Sequence, residues 1–410
     1  MPRSITLPDT AEKLGPVAIL LIVFLVFLPK GGVAVAGIPL TWGYLILGLS
    51  CVYLTLRMTL IGRVRLHRLI SWMATLPFLL NFMFTVGLLG ITPGYTGYSI
   101  SFLVTFAVLP LFFFLSCDHY FTDMRVRKIA MVVARGLPWV AAYGVALFIL
   151  GFLTGKLWDI PMITSTAFEH TSLADKDNLR GDLFKLVSTY ANGNIYGACM
   201  AMLIPFTSRL VGRWKSWILK LSLLLTLSRT AWVALILVQI YSSGKGAAER
   251  RSSSFRNIVA AVVISAVAIT VGLVLLGAGS HFIFDPTLGG RLSTFELVRN
   301  AEPVATHAFP GIAEAIYPSI AYHLGWAGLA TFLLAIGTPL FIAVSTGALS
   351  DPLRRDLAAG MCIYLVVAMS DGALLLIPVM AIFWCIASVI LEPMHTRLPV
   401  AISNASPRAP

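Results

Sequence analysis

Charge is what this chain has least of. Only 12% of its residues are Asp, Glu, Lys or Arg, against about 25% in a soluble globular domain, and 18 acids stand against 30 bases. Cysteine is also sparse. Cys51, Cys117, Cys199, Cys362 and Cys385 lie in or at the edge of apolar runs, with no CxxC pair and no Cys/His cluster. They read as small buried residues, which argues against a disulfide framework or a metal site. There is no P-loop, no Rossmann glycine fingerprint, no GxSxG elbow and no HExxH motif. No DxD-like pair stands where a metal-bound nucleotide sugar would need it. No cofactor is therefore expected. Tandem repeats, glycine-serine linkers and a second domain are missing too.

Hydrocarbon is what the chain has in excess, at 58% of residues. Apolar runs near twenty residues recur along its length, long enough to cross a hydrocarbon core about 30 Å thick. Backbone groups in lipid must be bonded within their own segment, so such runs are expected to be helices. The expected spans are 15–29, 36–56, 69–90, 99–117, 129–153, 183–206, 257–278, 321–345, 356–370 and 372–391. No small-residue cleavage site follows the first run, which reads as a short membrane helix rather than a signal peptide. The polar, proline-containing segment 393–410 reads as a disordered cytoplasmic tail.

The net charge of +12 is not a nucleic-acid signal, because the bases cluster in short loops. Arg57, Arg63, Arg65 and Arg68 follow the second run; Arg125, Arg127 and Lys128 the fourth; Arg209, Arg213, Lys215 and Lys220 the sixth. Lys245, Arg250, Arg251 and Arg256 precede the run at 257. All four groups are expected on the cytoplasmic side. Both flanks of 213–244 are then inside, so that stretch must go out and return. It is too short for two full spans of about twenty residues. Two short helices, near 214–228 and 230–243, would meet at Ser228-Arg229-Thr230. An arginine at that depth is costly and seldom faces lipid. It either faces a polar cavity and binds an anion or snorkels as a helix anchor. With this hairpin the chain is an all-α, polytopic inner-membrane protein of about twelve spans, one domain over 1–392 with both termini inside. Loops near 154–182 and 279–320 fall outside, the second carrying short helices.

Polar chemistry collects in those outer segments. Gly289 and Gly290 make a turn, and 291–300 suits a short amphipathic helix with Arg291, Phe295 and Arg299 on one face. Two guanidiniums there suit a phosphate or diphosphate; a solvated interfacial helix is the competing reading. A short helix is expected over 312–317, with Glu314 and Tyr317 on one face and Pro318 opening the next span. A carboxylate beside an apolar span can have a raised pKa and act as a base, although a surface glutamate fits the local sequence as well. His307 is either a substrate contact or an exposed loop histidine. Asn192, Gly193, Asn194, Tyr196 and Gly197 sit together in the sixth span, where they fit close helix packing or a cavity wall. Asp371, between the last two runs, pairs with an outer arginine or marks a turn. Arg180, Arg229, Arg291 and Arg299 thus gather outside with few acids, which points to an anionic lipid headgroup.

Four features, in order, resemble the O-antigen polymerase and O-antigen ligase superfamily of bacterial envelope glycosyltransferases. Arg180-Gly181 precedes a span with Asn192-Gly193-Asn194. Ser228-Arg229-Thr230 separates two apolar runs. Gly289-Gly290-Arg291 opens the large outer loop. Ala313-Glu314-Ala315-Ile316-Tyr317 runs into Leu324-Gly325-Trp326-Ala327-Gly328-Leu329. The resemblance covers about 180–330; the N-terminal half agrees only as generic spans. Ligases of the superfamily usually carry His-Asn where this chain has Glu314-Ala315, and an Ala-Glu pair there is more similar to the polymerase branch. The resemblance implies a substrate: oligosaccharide repeat units on undecaprenyl diphosphate at the periplasmic face of the inner membrane. It implies that Arg229 and Arg291 hold the diphosphate, Arg180 and Arg299 support them, and Glu314 is the base, with Asn194, His307 and Tyr317 as further substrate contacts. A chain-length regulator is a partner by family analogy alone. The rival readings are a ligase moving a finished glycan to lipid A core and, in a different class, a flippase for lipid-linked oligosaccharide. A flippase is expected to keep charges along the mid-membrane of several helices, and spans two to five carry almost none.

Overall fold

The computed structural model describes residues 14–35, 38–61, 64–117, 120–166, 179–180, 183–247 and 292–391. The expected span at 257–278, the Gly289-Gly290-Arg291 turn, most of the loop near 154–182 and the tail at 393–410 lie outside the described residues. Helix makes up 74% of the described residues and strand 3%. Among the described residues, four helical stretches are long and apolar enough to cross a membrane: Leu66–Leu89, Thr96–Ser116, Asp123–Thr154 and Ile316–Ser345. Shorter apolar helices cover Pro16–Phe27, Trp42–Leu56, Arg229–Ser242 and Ile377–Ile390.

In chain order, α1 is Pro16–Ile22, continued by a π-helical turn to Phe27. An antiparallel hairpin follows, β1 (Gly32–Val35) with β2 (Ile38–Thr41). The second span, expected from 36, therefore begins later, as α2 at Trp42–Ile61. Val33, Val35 and Ile38 are β-branched, and Gly32 passes so close to the Leu40 carbonyl that a Cβ there would collide with it, so strand pairing wins. Next come α3 (Leu66–Met73), α4 (Leu76–Leu89), α5 (Thr96–Leu103, extended by π-helical turns to Ser116) and α6 (Asp123–Thr154). A two-residue ladder, β3 (Leu179–Arg180) with β4 (Leu183–Phe184), leads to α7 (Gly193–Leu210). Helices α8 (Arg213–Leu225), α9 (Arg229–Ala247), α10 (Leu292–Leu297), α11 (Ile316–Ser345), α12 (Pro352–Val367) and α13 (Ile377–Ile390) complete the described chain.

The core is a bundle centred on α7 and α12, and the two run antiparallel. Arg209 near the end of α7 binds Asp356 near the start of α12 at 3.3 Å. Midway, a Cβ on Gly360 would collide with the Met202 carbonyl oxygen, so only glycine permits this approach. The start of α7 therefore lies level with the end of α12. Helix α9 follows the same direction as α7: Tyr241, near its far end, donates to Asp356 at 2.7 Å. Helices α8 and α9 form the expected hairpin, tied by Trp232 Nε1 to the Leu224 carbonyl at 2.9 Å and by Lys220 to Gln239 at 2.8 Å. The bundle thus has two ends. One carries Arg127, Arg209 and Arg354; the other carries Arg229. Helices α7, α9, α11 and α13 all begin at the Arg229 end.

Candidate functional site at the Arg229 end

The α8–α9 bend is held by local polar contacts. Thr226 Oγ1 donates to the Leu223 carbonyl at 2.7 Å, and the Ser228 and Thr230 hydroxyls stand 3.1 Å apart. Leu227 in the bend has φ +49°. Arg229, half-buried, opens α9 directly after it. The backbone N–H of Leu186 donates to the Leu225 carbonyl at 3.0 Å, pinning the buried segment before α7 onto the bend.

Helix α7 starts ten residues later than the expected span at 183. The apolar residues Phe184, Leu186, Val187 and Tyr190 are buried without being helical. Asn192 is the N-cap, its side-chain oxygen accepting the Ile195 N–H at 2.8 Å. The Asn-Gly-Asn cluster is thus a helix start, not the interior of a span. A Cβ on Gly193 would stand 2.8 Å from the Leu186 carbonyl oxygen and 3.4 Å from that of Thr226, so α7 begins against the bend that carries Arg229. Asn194 Oδ1 is buried and has no hydrogen-bond partner among the described residues. Lys185, a buried cation that sequence reasoning did not single out, is in the same contact: its Cβ lies 3.4 Å from the same point.

The outer loop takes a different form from the one expected. Helix α10 covers only Leu292–Leu297 and tightens to a 3₁₀ turn at Val298–Asn300. The fourfold spacing that would put Phe295 and Arg299 on one α-helical face is therefore lost in the last turn. Arg299 is exposed, and Arg291 is outside the described residues. No helix forms over 312–317; α11 begins at Ile316 with Ala315 as its N-cap. Pro318 is near its start, as expected. Glu314 is exposed in the bend before the helix, so it does not share a helical face with Tyr317. The Tyr317 hydroxyl instead donates to the Leu365 carbonyl at 2.7 Å, tying α11 to α12. The Glu314 carbonyl accepts from Gly372 N–H at 3.1 Å, and Ile316 N–H donates to the Ala368 carbonyl at 3.2 Å. These bonds bring Glu314 to the 368–372 turn that carries buried Asp371.

His307 has a partner that its sequence surroundings did not reveal. Its Nε2 lies 3.0 Å from His323 Nδ1, and its ring is 4.8 Å from that of Tyr322. The pair forms because α11 is broken at Gly325, where φ is +76° and ψ 173°. The freed N–H groups of Trp326 and Ala327 donate to the carbonyls of Glu302 and Pro303, each at 2.9 Å, drawing the loop back over the helix. Arg180 sits on β3, opposite Leu183. A further pair, Lys30 with Asp159, joins the end of α1 to the loop after α6. A lone lysine and a lone acid at matching outer levels were the available signal for it.

Among the described residues, the non-glycine positions with positive φ are Met162, Ser188, Leu227 and Ala373, with Leu227 in the bend itself and Ala373 in the connection between α12 and α13. Such conformations cost about 1–3 kcal/mol each and persist where surrounding structure enforces them. The α-helical N-termini gathered here add partial positive charge. With Arg229 and Lys185 they favour an anion, and Glu314 offers a proton acceptor at the same end. No cluster of metal-ligating side chains is present among the described residues. The chain matches no protein-family model and no curated protein.

Proposed function

We propose that the protein is a membrane glycosyltransferase of the polymerase type, which joins oligosaccharide repeat units carried on undecaprenyl diphosphate. The observation that carries this reading is the placement at one end of the bundle: Arg229 on a bend, Asn194 at a helix start packed against that bend, and Glu314 tied to the 368–372 turn. These are the same positions whose ordered motifs resemble the superfamily. In the proposed reaction Glu314 accepts the proton of a hydroxyl on the incoming unit. That oxygen bonds to the reducing-end carbon of the growing chain, and the bond from that carbon to the diphosphate breaks. Arg229 and Arg291, supported by Arg180 and Arg299, hold the departing diphosphate and neutralise its charge. Asn194 is then a polar contact for the donor, and no nucleotide enters the balance.

The proposed setting is the bacterial inner membrane, with the Arg229 end periplasmic and both termini cytoplasmic. The gathering of Arg127, Arg209 and Arg354 at the opposite end supports that orientation. The buried charged residues among those described, Arg68, Asp159, Lys185, Asp351, Arg354, Asp356 and Asp371, lie toward the two ends of the bundle. This counts against a flippase. The His307–His323 pair favours a second reading, the ligase, in which a histidine takes the proton.

The deciding measurement is the lipid-linked product in a strain lacking the protein: single repeat units support polymerase, and long unattached chains support ligase. Arg229→Lys keeps the charge and loses the planar fork. At matched protein levels it should cut polymer yield about tenfold or more, one decade being about 1.4 kcal/mol. Near-normal polymer would make Arg229 a helix anchor.

A further inference from the structure

Away from the Arg229 end, a cavity of about 360 Å³ lies between α1, α2, α6 and α13. It follows α1 from Gly15 to Val26, roughly 16 Å at 1.5 Å per residue. Its wall is built almost wholly of aliphatic and aromatic side chains and the thiols of Cys117 and Cys385. Water needs two to four polar partners to settle in such a space, and this wall does not supply them. An empty apolar cavity forfeits contact energy in proportion to its volume, so an elongated apolar guest is the stable filling. The wall includes Tyr53, which is 55% exposed on the flank of α2, so the cavity opens sideways on the apolar surface of the bundle.

Arg125 stands at the other extreme. Tyr120 lines the cavity, and the Arg125 guanidinium sits 5.2 Å from its ring centroid while donating to its carbonyl at 3.4 Å. Val126 and Ile129 continue the wall from α6, with Lys128 between them in sequence. Arg127, in the same turn, is paired with Asp123 and Asp351 at 3.0 Å each.

We propose that the cavity holds one acyl chain of an anionic glycerophospholipid, whose phosphate lies beside Arg125. The proposal is independent of the reaction argued above. Its charged end is opposite to Arg229, so the lipid is a resident of the other leaflet and not the glycan carrier.

Cys117 and Cys385 are built-in reporters, since both face the cavity. Full-length protein is stripped of lipid in a sterol-based detergent, which has no alkyl chain to enter. Alkylation of these two thiols by an apolar maleimide is then followed by peptide mass. Adding phosphatidylglycerol should slow both reactions about tenfold, the ratio left when free lipid stands near ten times its Kd. Phosphatidylcholine should slow them much less. Arg125→Gln should remove that preference while leaving the thiols reactive in stripped protein. Equal protection by both lipids would overturn the proposal, as would protection by undecaprenyl phosphate alone.

Discussion

At the Arg354 end acid meets base directly. Arg354, 1% exposed, binds Asp123 at 2.9 Å, Arg127 reaches Asp123 and Asp351, and Arg209 reaches Asp356. At the Arg229 end backbone bonds run from Leu186 to Leu225, Ile316 to Ala368 and Gly372 to Glu314, beside the Lys30–Asp159 pair and neutral side-chain bonds such as Tyr317 to the Leu365 carbonyl. The first arrangement holds α6, α7 and α12 together through charged side chains. The second combines main-chain bonds with one ion pair and neutral side-chain bonds, around bends with positive φ at Leu227 and Ala373. The ion pairs at the first end thus join helices to one another, whereas the backbone bonds at the second join loops and turns to helix ends.

Substitutions at the two ends should separate along the same line. The largest effect is expected from Glu314→Gln, which keeps shape and removes the proton acceptor. Loss of general-base assistance is worth roughly 10²–10⁴ in rate, about 3–5 kcal/mol of barrier. Lipid-linked single units should accumulate with no change in thermal stability, while Glu314→Asp keeps part of the activity. Full-length polymer ladders from Glu314→Gln would move the base to His307. Asp123→Asn, at the other end, should do the reverse. It leaves Arg354 buried without this acid and should cost about 3 kcal/mol, the lower edge for breaking a buried pair, because Asp123 is 31% exposed. Melting in detergent should fall, and the activity of the remaining folded protein should not.

Smaller effects sharpen the comparison. Gly325→Ala places a Cβ 2.6 Å from Val304 Cα at a φ of +76°. About 2 kcal/mol of destabilisation is expected from strain of this kind, visible as a lower melting temperature. An unchanged melting temperature would mean that α11 does not need its break. Asn192→Ala removes the α7 cap and should cost about 1 kcal/mol. If the helix instead began near 183, with Asn192 inside it, the same change would leave stability equal or better.

The hairpin break is legible in the sequence because basic residues flank both sides of 213–244 and about thirty residues cannot make two full spans. The start of α7 is not. Phe184, Leu186, Val187 and Tyr190 are as apolar as a span, and hydropathy alone does not distinguish a buried extended segment from a helix. The face expected to join Glu314 and Tyr317 fails for a similar reason: backbone bonds from 314 and 316 to the 368–372 turn keep Glu314 outside the helix, and those partners are more than fifty residues away in sequence. The His307–His323 contact depends on the break at Gly325, which a lone glycine in an apolar run does not announce. The Leu324-Gly325-Trp326 motif is visible in the sequence, but its physical meaning, a close pass of 302–304 over an interrupted helix, is not.

That interruption has a mechanical consequence. A loop lying on a continuous helix can slide or lift without disturbing it, since the helix has satisfied its own amides. Here Trp326 and Ala327 lend their amides to Glu302 and Pro303, and the Trp326 indole donates to the Ala301 carbonyl at 3.0 Å. Lifting the loop would strand those donors partway along a span, where no water waits to receive them. Loop and helix are therefore one lever. A load pressing on 301–304 would push on the whole of α11, and the fulcrum would be Gly325, a residue with no side chain to resist the turn.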